Sequence, residues 1–162
     1  MANTGLKFAS CKKDALPFAK NEFDNALLLT VLHHSDDPLS VLREAYRIVR
    51  PEGRVIVIES VYGVDGNELS EKERKKAEAY LSLTKEQQRK LNVYFDHFYN
   101  RVIHYSNDPK MKVNVPFNFR TPQEWKKVFE ENGFVQEYAA HLGIDQPAVP
   151  EYHTLHVIRS VK

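Results

Sequence analysis

The sequence is poor in cysteine, glycine and net charge, and it has no long apolar run. One cysteine, Cys11, stands among 162 residues. That excludes a disulfide framework and a cysteine-built zinc site within one chain, and a lone thiol fits a reducing compartment. Lys and Arg number 23 against 22 Asp and Glu, a formal net charge of +1. Such a balance supplies no electrostatic pull toward nucleic acid or an anionic membrane. No stretch reaches the roughly 20 apolar residues that span a bilayer. The opening Met1 to Lys7 lacks the apolar core of a secretion signal. A soluble, cytoplasmic protein with neither a nucleic-acid nor a membrane partner is expected. The six glycines, at 5, 53, 63, 66, 133 and 143, nowhere make a Gly-x-Gly-x-Gly loop. Apolar residues at 42% and charged residues at 28% are ordinary for one globular domain.

Two apolar runs are present, Ala26 to Leu32 and Val55 to Ile58. Neither alternates with polar residues, which suits strands covered on both faces, as in a parallel sheet. Between them Asp37 is a plausible N-cap and Pro38 a first-turn proline. Leu39, Leu42, Tyr46 and Val49 form an apolar stripe at helical spacing, and Pro51 and Gly53 turn the chain. Strand, helix, strand in this order predicts a right-handed crossover and an α/β fold. From 63 to 115 the pattern becomes helical. Ser70 with Glu73 and Thr84 with Gln87 read as capping boxes. Leu91, Tyr94, Phe95, Phe98 and Val102 recur at spacings of three or four, so one helix face is aromatic. It serves either as core packing or as a lid over an apolar substrate. Thr121-Pro122-Gln123-Glu124 starts another helix, which Gly133 ends. Strands are predicted over Val135 to Leu142 and His153 to Val161, separated by a loop holding Pro147 and Pro150.

Read as words, the first half runs Asp14-Ala15-Leu16-Pro17-Phe18, Phe23-Asp24, Val31-Leu32-His33-His34, Asp37-Pro38 and Arg50-Pro51-Glu52-Gly53-Arg54. In this order the words resemble class I S-adenosylmethionine-dependent methyltransferases, in the branch of the ubiquinone and menaquinone methyltransferases. Glu52 departs from that pattern, since the family has glycine there. The resemblance implies a truncated Rossmann-like sheet, mostly parallel, with an antiparallel C-terminal hairpin and a helical insertion over 63–115. It implies S-adenosylmethionine as cofactor and methyl transfer by in-line displacement, in which the enzyme chiefly positions two reactants.

The resemblance implies the cofactor contacts Asp14, Ala15, Thr30 and Val31, whereas His33, His34, Glu59 and Tyr62 are candidates from their own positions in the chain. Asp14 and Ala15 match the position that contacts the adenine ring. Thr30 and Val31 match the strand end beside the methionine part of the cofactor. His33 and His34, adjacent in an extended segment, would point opposite ways, and one of them would orient the acceptor or take its proton. Glu59 and Tyr62 follow the strand Val55 to Ile58 and are candidates for substrate contact. A metal site of the histidines with Asp36 and Asp37 is a lesser alternative, because nothing else nearby has ligand spacing. The other histidines, His97, His104, His141, His153 and His156, read as surface or satisfied core residues.

The family opens with a strand, a glycine loop, a helix and a second strand ending in an acid. The resemblance implies that Met1 to Phe8 starts just before the third family strand. The strand Ala26 to Leu32 would then be an exposed apolar edge, which natural proteins avoid. Three remedies are expected: a homodimer, direct pairing of the segment Leu6 to Ser10 with that strand, or a completing N-terminal polypeptide. The functional expectation is methyl transfer to a small, apolar or lipid-like acceptor. The alternatives are a non-catalytic remnant acting as a dimeric or partner-binding subunit, and an unrelated α/β binding domain, which would lack the antiparallel final hairpin.

Overall fold

The structure is a computed structural model that describes residues 9, 11, 15–62, 69–103, 107–108, 112–146 and 151–162. Four strands make one sheet: β1 (Phe23–Leu29), β2 (Val49–Tyr62), β3 (Phe134–Gln146) and β4 (Glu151–Ser160). Their spatial order is β1-β2-β4-β3. The β1 and β2 strands are parallel, with Leu29 beside Ile58. The β4 strand runs antiparallel to both β2 and β3. The antiparallel final hairpin, whose absence would have ended the family resemblance, is therefore present. The described sheet holds one parallel pair and two antiparallel pairs, so it is less parallel than the sequence suggests.

The crossover between β1 and β2 is α1 (Pro38–Ile48). The Asp37 side chain accepts from the Ser40 amide at 3.0 Å, with Pro38 in the first turn, so the helix starts where the sequence marks it. It ends at Ile48, three residues before Pro51. The reason is a register change in which Phe23 sits beside Val49 but Asn25 sits beside Arg54. The residues between bulge out of the ladder. Glu52 takes φ 62 there, the left-handed region. Gly53 tolerates no side chain, because a Cβ would come within 2.8 Å of the Arg50 and Asp24 carbonyl oxygens. The family's glycine at position 52 thus has a conformational reason. A left-handed non-glycine residue costs about 1–2 kcal/mol, while the exposed ion pair of Glu52 with Arg159 contributes about 1 kcal/mol or less. Glu52→Gly is expected to raise the unfolding free energy by up to about 1 kcal/mol, read from urea midpoints.

The main core lies between this sheet and two helices, α1 and α4 (Pro122–Glu131). Leu42, Ala45, Val55, Val57, Trp125, Phe129 and Ile158 are all buried in it. At the N-terminal side, Arg47 donates to both oxygens of Glu44 at 2.8 Å and to the carbonyls of Phe18 and Leu16. This fork pins the Leu16–Phe18 segment onto α1 and holds the Glu44 carboxyl at about 2, well below the usual range.

Two helices, α2 (Glu71–Leu81) and α3 (Lys85–Phe98), fill much of the region between β2 and α4, and a π-helical turn, Tyr99–Ile103, continues α3. Both expected capping boxes are formed. They build a second core from Val61, Leu69, Ala77, Tyr80 and Tyr152, with Leu91 packed against it. The orientation of α3 differs from the sequence reading. The most buried residues of α3 and the π-helical turn after it are Gln88, Asn92, Asp96 and Asn100, a polar stripe, whereas Tyr94, Phe98 and Val102 are exposed. The physical reason is hydrogen bonding. Gln88 Nε2 donates to the carbonyls of Tyr80 and Leu83, and the Tyr80 hydroxyl donates to Asn92 Oδ1. Buried carbonyls at the α2–α3 turn need donors, and that need outweighs burial of the aromatic face.

Candidate functional site

The parallel pair β1–β2 ends at one rim of the sheet, the position where open α/β sheets gather ligands. Beyond Leu29 the chain does not stay extended. Thr30 takes φ 50, its amide donates to the Ile58 carbonyl at 2.7 Å, and Leu32–His34 form a 3₁₀ turn. The sequence reading of an extended His33-His34 pair pointing opposite ways is corrected: both rings lie together, centroids 3.9 Å apart and tilted by 43°.

What forces this turn is Glu59, the first residue of β2 beyond the pairing with β1. Its carboxylate is fully buried. It accepts from the amides of Val31 (3.0 Å), Leu32 (2.7 Å) and His33 (3.2 Å), and from His33 Nδ1 at 2.5 Å. A carboxylate can satisfy four such donors. Unpaired amides at the start of a helical turn need just such an acceptor. Glu59 was read as a substrate contact. Its oxygens are instead engaged inside the protein, and what it positions is the turn that carries both histidines.

His34 is half-buried. Its Nδ1 lies 2.8 Å from the Asn114 carbonyl oxygen. Asn114 Nδ2 in turn donates to the His34 carbonyl at 2.8 Å and to Asp36 Oδ1 at 3.0 Å. Four residues on, Asn118 Nδ2 donates to the Ser35 carbonyl at 2.6 Å. The irregular segment 112–120 thus straps the turn from the far side of the insertion. Burial, and next the neighbouring His33, push the His34 imidazole below its ordinary pKa, against the pull of Asp96 and Glu59. Asp96 itself is buried, and the Asn100 side chain donates to it at 2.8 Å.

The other sequence candidates are placed as follows. Ala15 is exposed, and Asp14 lies outside the described residues. The Thr30 hydroxyl donates to the Leu29 carbonyl, and Val31 is exposed at the rim. Tyr62 ends β2, with its side chain outside the described residues. Asp36 accepts from Asn114 and Asp37 caps α1, and among the described residues no group of three or more His, Cys, Asp or Glu can hold a metal ion. Asn114 and Asn118 were not singled out from the sequence. No local signal marks them, since their partners lie about 80 residues away.

Beside β1 is a cavity of about 470 Å³ lined by Leu16, Phe18, Ala26, Leu28, Val41 and Ile48 among others. Leu27, which also lines this cavity, is 56% exposed, and Leu29 at the end of the strand is 50% exposed. Among the described residues β1 is the outer strand of the sheet. No described helix is long and apolar enough to cross a membrane.

Over part of its length the chain is similar to known methyltransferases. Residues 2–57 match the methyltransferase domain family. The ubiquinone/menaquinone biosynthesis C-methyltransferase UbiE of Desulfotalea psychrophila is 36% identical over 59 residues, which are 36% of this chain and 24% of that protein. A Haloferax volcanii methyltransferase, solved as a complex with the methyltransferase activator Trm112, shares the fold with a TM-score of 0.59 at 13% identity, over 100% of this chain and 65% of its own. Burkholderia thailandensis 1,6-didemethyltoxoflavin-N1-methyltransferase, solved with its acceptor and S-adenosylhomocysteine, does so with a TM-score of 0.55 at 16% identity, over 96% and 51%. The chain therefore spans about two thirds or less of each of these relatives.

Proposed function

We propose that this chain, similar to class I S-adenosylmethionine-dependent methyltransferases of the ubiquinone and menaquinone type, takes part in methyl transfer from S-adenosylmethionine to a small, apolar or lipid-like acceptor. The observation that carries the reading is the turn Leu32–His34, anchored by Glu59 at the carboxyl rim of the parallel pair. Thr30 and Val31 stand just beyond the last paired residues of β1, at the rim where the likeness puts the cofactor. Thr30 and Val31 would flank its methionine end, and Ala15 with Asp14 would meet the adenine edge. None of the six glycines makes the loop that lets backbone approach such a ligand. When bound, the cofactor supplies an electrophilic methyl group on a sulfonium.

The chain's own contribution is positional. His33 and His34 orient the acceptor at the rim, and His34, kept neutral near pH 7 by burial, is suited to take its proton. Tyr62, at the end of β2, remains the candidate for acceptor contact that the sequence marks. The setting is taken to be the cytoplasm. Calorimetric titration with S-adenosylmethionine tests the reading: heat of binding with a thermal upshift is expected, and neither at millimolar cofactor overturns it for this chain alone.

A second reading is favoured by the uncovered face of β1. Here the chain is a non-catalytic subunit that pairs through that strand with a second copy or with a completing polypeptide. The Haloferax volcanii relative, solved with an activator protein, supports a partner-bound form. Sedimentation separates the readings. A dimer that dissociates in Leu27→Lys supports pairing through β1, and a monomer in both forms removes the homodimer.

A further inference from the structure

The two histidines at the rim are held by different acceptors, and this decides which nitrogen of each carries a proton. Glu59 already accepts three backbone amides, so it meets His33 Nδ1 as a carboxylate, and Nδ1 is the donor. The case of His34 is sharper. Its Nδ1 faces a peptide carbonyl at 2.8 Å. A carbonyl can only accept, so the proton of neutral His34 sits on Nδ1. No described residue engages Nε2, and that nitrogen is left with its lone pair.

The carbonyl does not stand there by chance of loop geometry. Both Nδ2 protons of Asn114 are used to tie the same residue down, one on the His34 carbonyl and one on Asp36 Oδ1. Asn114 and His34 are therefore joined in both directions, ring to carbonyl and amide to carbonyl. Asn118, donating to the Ser35 carbonyl, holds the strap at its other end. The ring is flanked by His33 from its own turn, Glu59 from β2 and Asp96 from α3.

We propose that Asn114 is a positioning residue: through its reciprocal hydrogen bonds with His34 it fixes the proton on Nδ1 and leaves Nε2 as the proton acceptor of the rim. This deepens the methyl-transfer reading and rests on it for its purpose. The tautomer itself is independent of any cofactor. In the reaction, Nε2 takes a proton from the acceptor and the ring becomes a cation. The Asn114 carbonyl keeps its bond to Nδ1–H throughout, and the buried carboxylate of Asp96 offsets the charge. The insertion thereby acts on the chemistry through the strap, without its aromatic face.

The test is nitrogen NMR on the full chain labelled with ¹⁵N-histidine, in which couplings to the ring protons report the protonated nitrogen. The wild type is expected to show neutral His34 with its proton on Nδ1 above neutral pH. Asn114→Ala keeps the backbone carbonyl but loses the two Nδ2 bonds that hold it against the ring, so the tautomer ratio should shift toward Nε2–H, by up to about tenfold where the carbonyl leaves the ring and one hydrogen bond is lost. Lys112→Ala, an exposed change in the same strap, should leave the ratio alone. A wild-type His34 protonated on Nε2 overturns the proposal, as does an unchanged ratio in folded Asn114→Ala. If that variant does not fold, the wild-type spectrum still decides. Titrating the same samples with S-adenosylmethionine separates the two ideas, because absent heat counts against the donor and leaves the tautomer result standing.

Discussion

Glu59→Ala is expected to lower the unfolding free energy by about 3–5 kcal/mol, the range for removing one partner of a buried, hydrogen-bonded charge cluster. The carboxylate is fully buried and accepts from three consecutive amides and one imidazole. An alanine leaves all four donors facing a void that a methyl group cannot satisfy, and each buried unmet donor costs about 1–3 kcal/mol. The void itself adds a cavity cost. Against a typical stability of about 5–15 kcal/mol this is a large fraction. Urea denaturation monitored by Trp125 fluorescence measures it. Glu59→Gln should cost less, because one acceptor oxygen remains. A loss below about 1 kcal/mol for Glu59→Ala would mean that the turn holds itself without the carboxylate. The same variant should separate the His33 and His34 rings, which imidazole proton shifts would report.

Acid is expected to destabilise the fold through His156. This residue is fully buried in β4, with Nδ1 against Gln136 Oε1 at 2.8 Å and Nε2 against the Thr154 hydroxyl at 3.0 Å. Its ring meets Phe129 edge to face. Gln136 Oε1 accepts, so Nδ1 donates and Nε2 receives the Thr154 proton; the neutral ring is satisfied as it stands. Burial pushes its pKa from the ordinary 6.5 down to about 4, with Glu59 opposing weakly. The sign follows from linkage. Below the unfolded value of 6.5 the unfolded chain takes a proton that the folded chain refuses. Stability therefore falls as the pH drops from about 6.5 to about 4 and levels off below that. At 1.36 kcal/mol per unit, the loss is about 3 kcal/mol. Unfolding free energies from pH 7 to pH 4 should show this slope in the wild type and a flatter one in His156→Gln. Equal slopes in the two proteins would assign the acid sensitivity elsewhere.

Signals written into adjacent residues were fully legible in the sequence. Asp37-Pro38, Ser70 with Glu73, Thr84 with Gln87 and Thr121-Pro122 with Glu124 all cap helices where they were read to do so. A cap is a contact over three residues, so spacing alone specifies it. The resemblance carried by the words from Asp14 to Arg54 implied an antiparallel final hairpin, which is present, and a mostly parallel sheet, which the described strands do not form. The departure at Glu52 was visible as a missing glycine, and the structure adds its conformation, φ 62.

The site was less legible, because its contacts are long-range. Periodicity located the aromatic residues of α3 but could not tell which face is buried. The carbonyls of Tyr80 and Leu83 turned the polar stripe of Gln88 and Asn92 inward. His33 and His34 read as neighbours in a strand. Glu59, 26 residues from His33, coils them into a turn. Asn114, 80 residues from His34, meets its ring from the other side. By itself the sequence determined the helices, their caps, the strand pattern and the chain's family likeness, since these rest on local spacing and on words in order. The tertiary structure alone decided that a buried carboxylate and an asparagine strap hold the histidine pair. Hydrogen bonds between distant residues exist only once the sheet and the insertion are packed together.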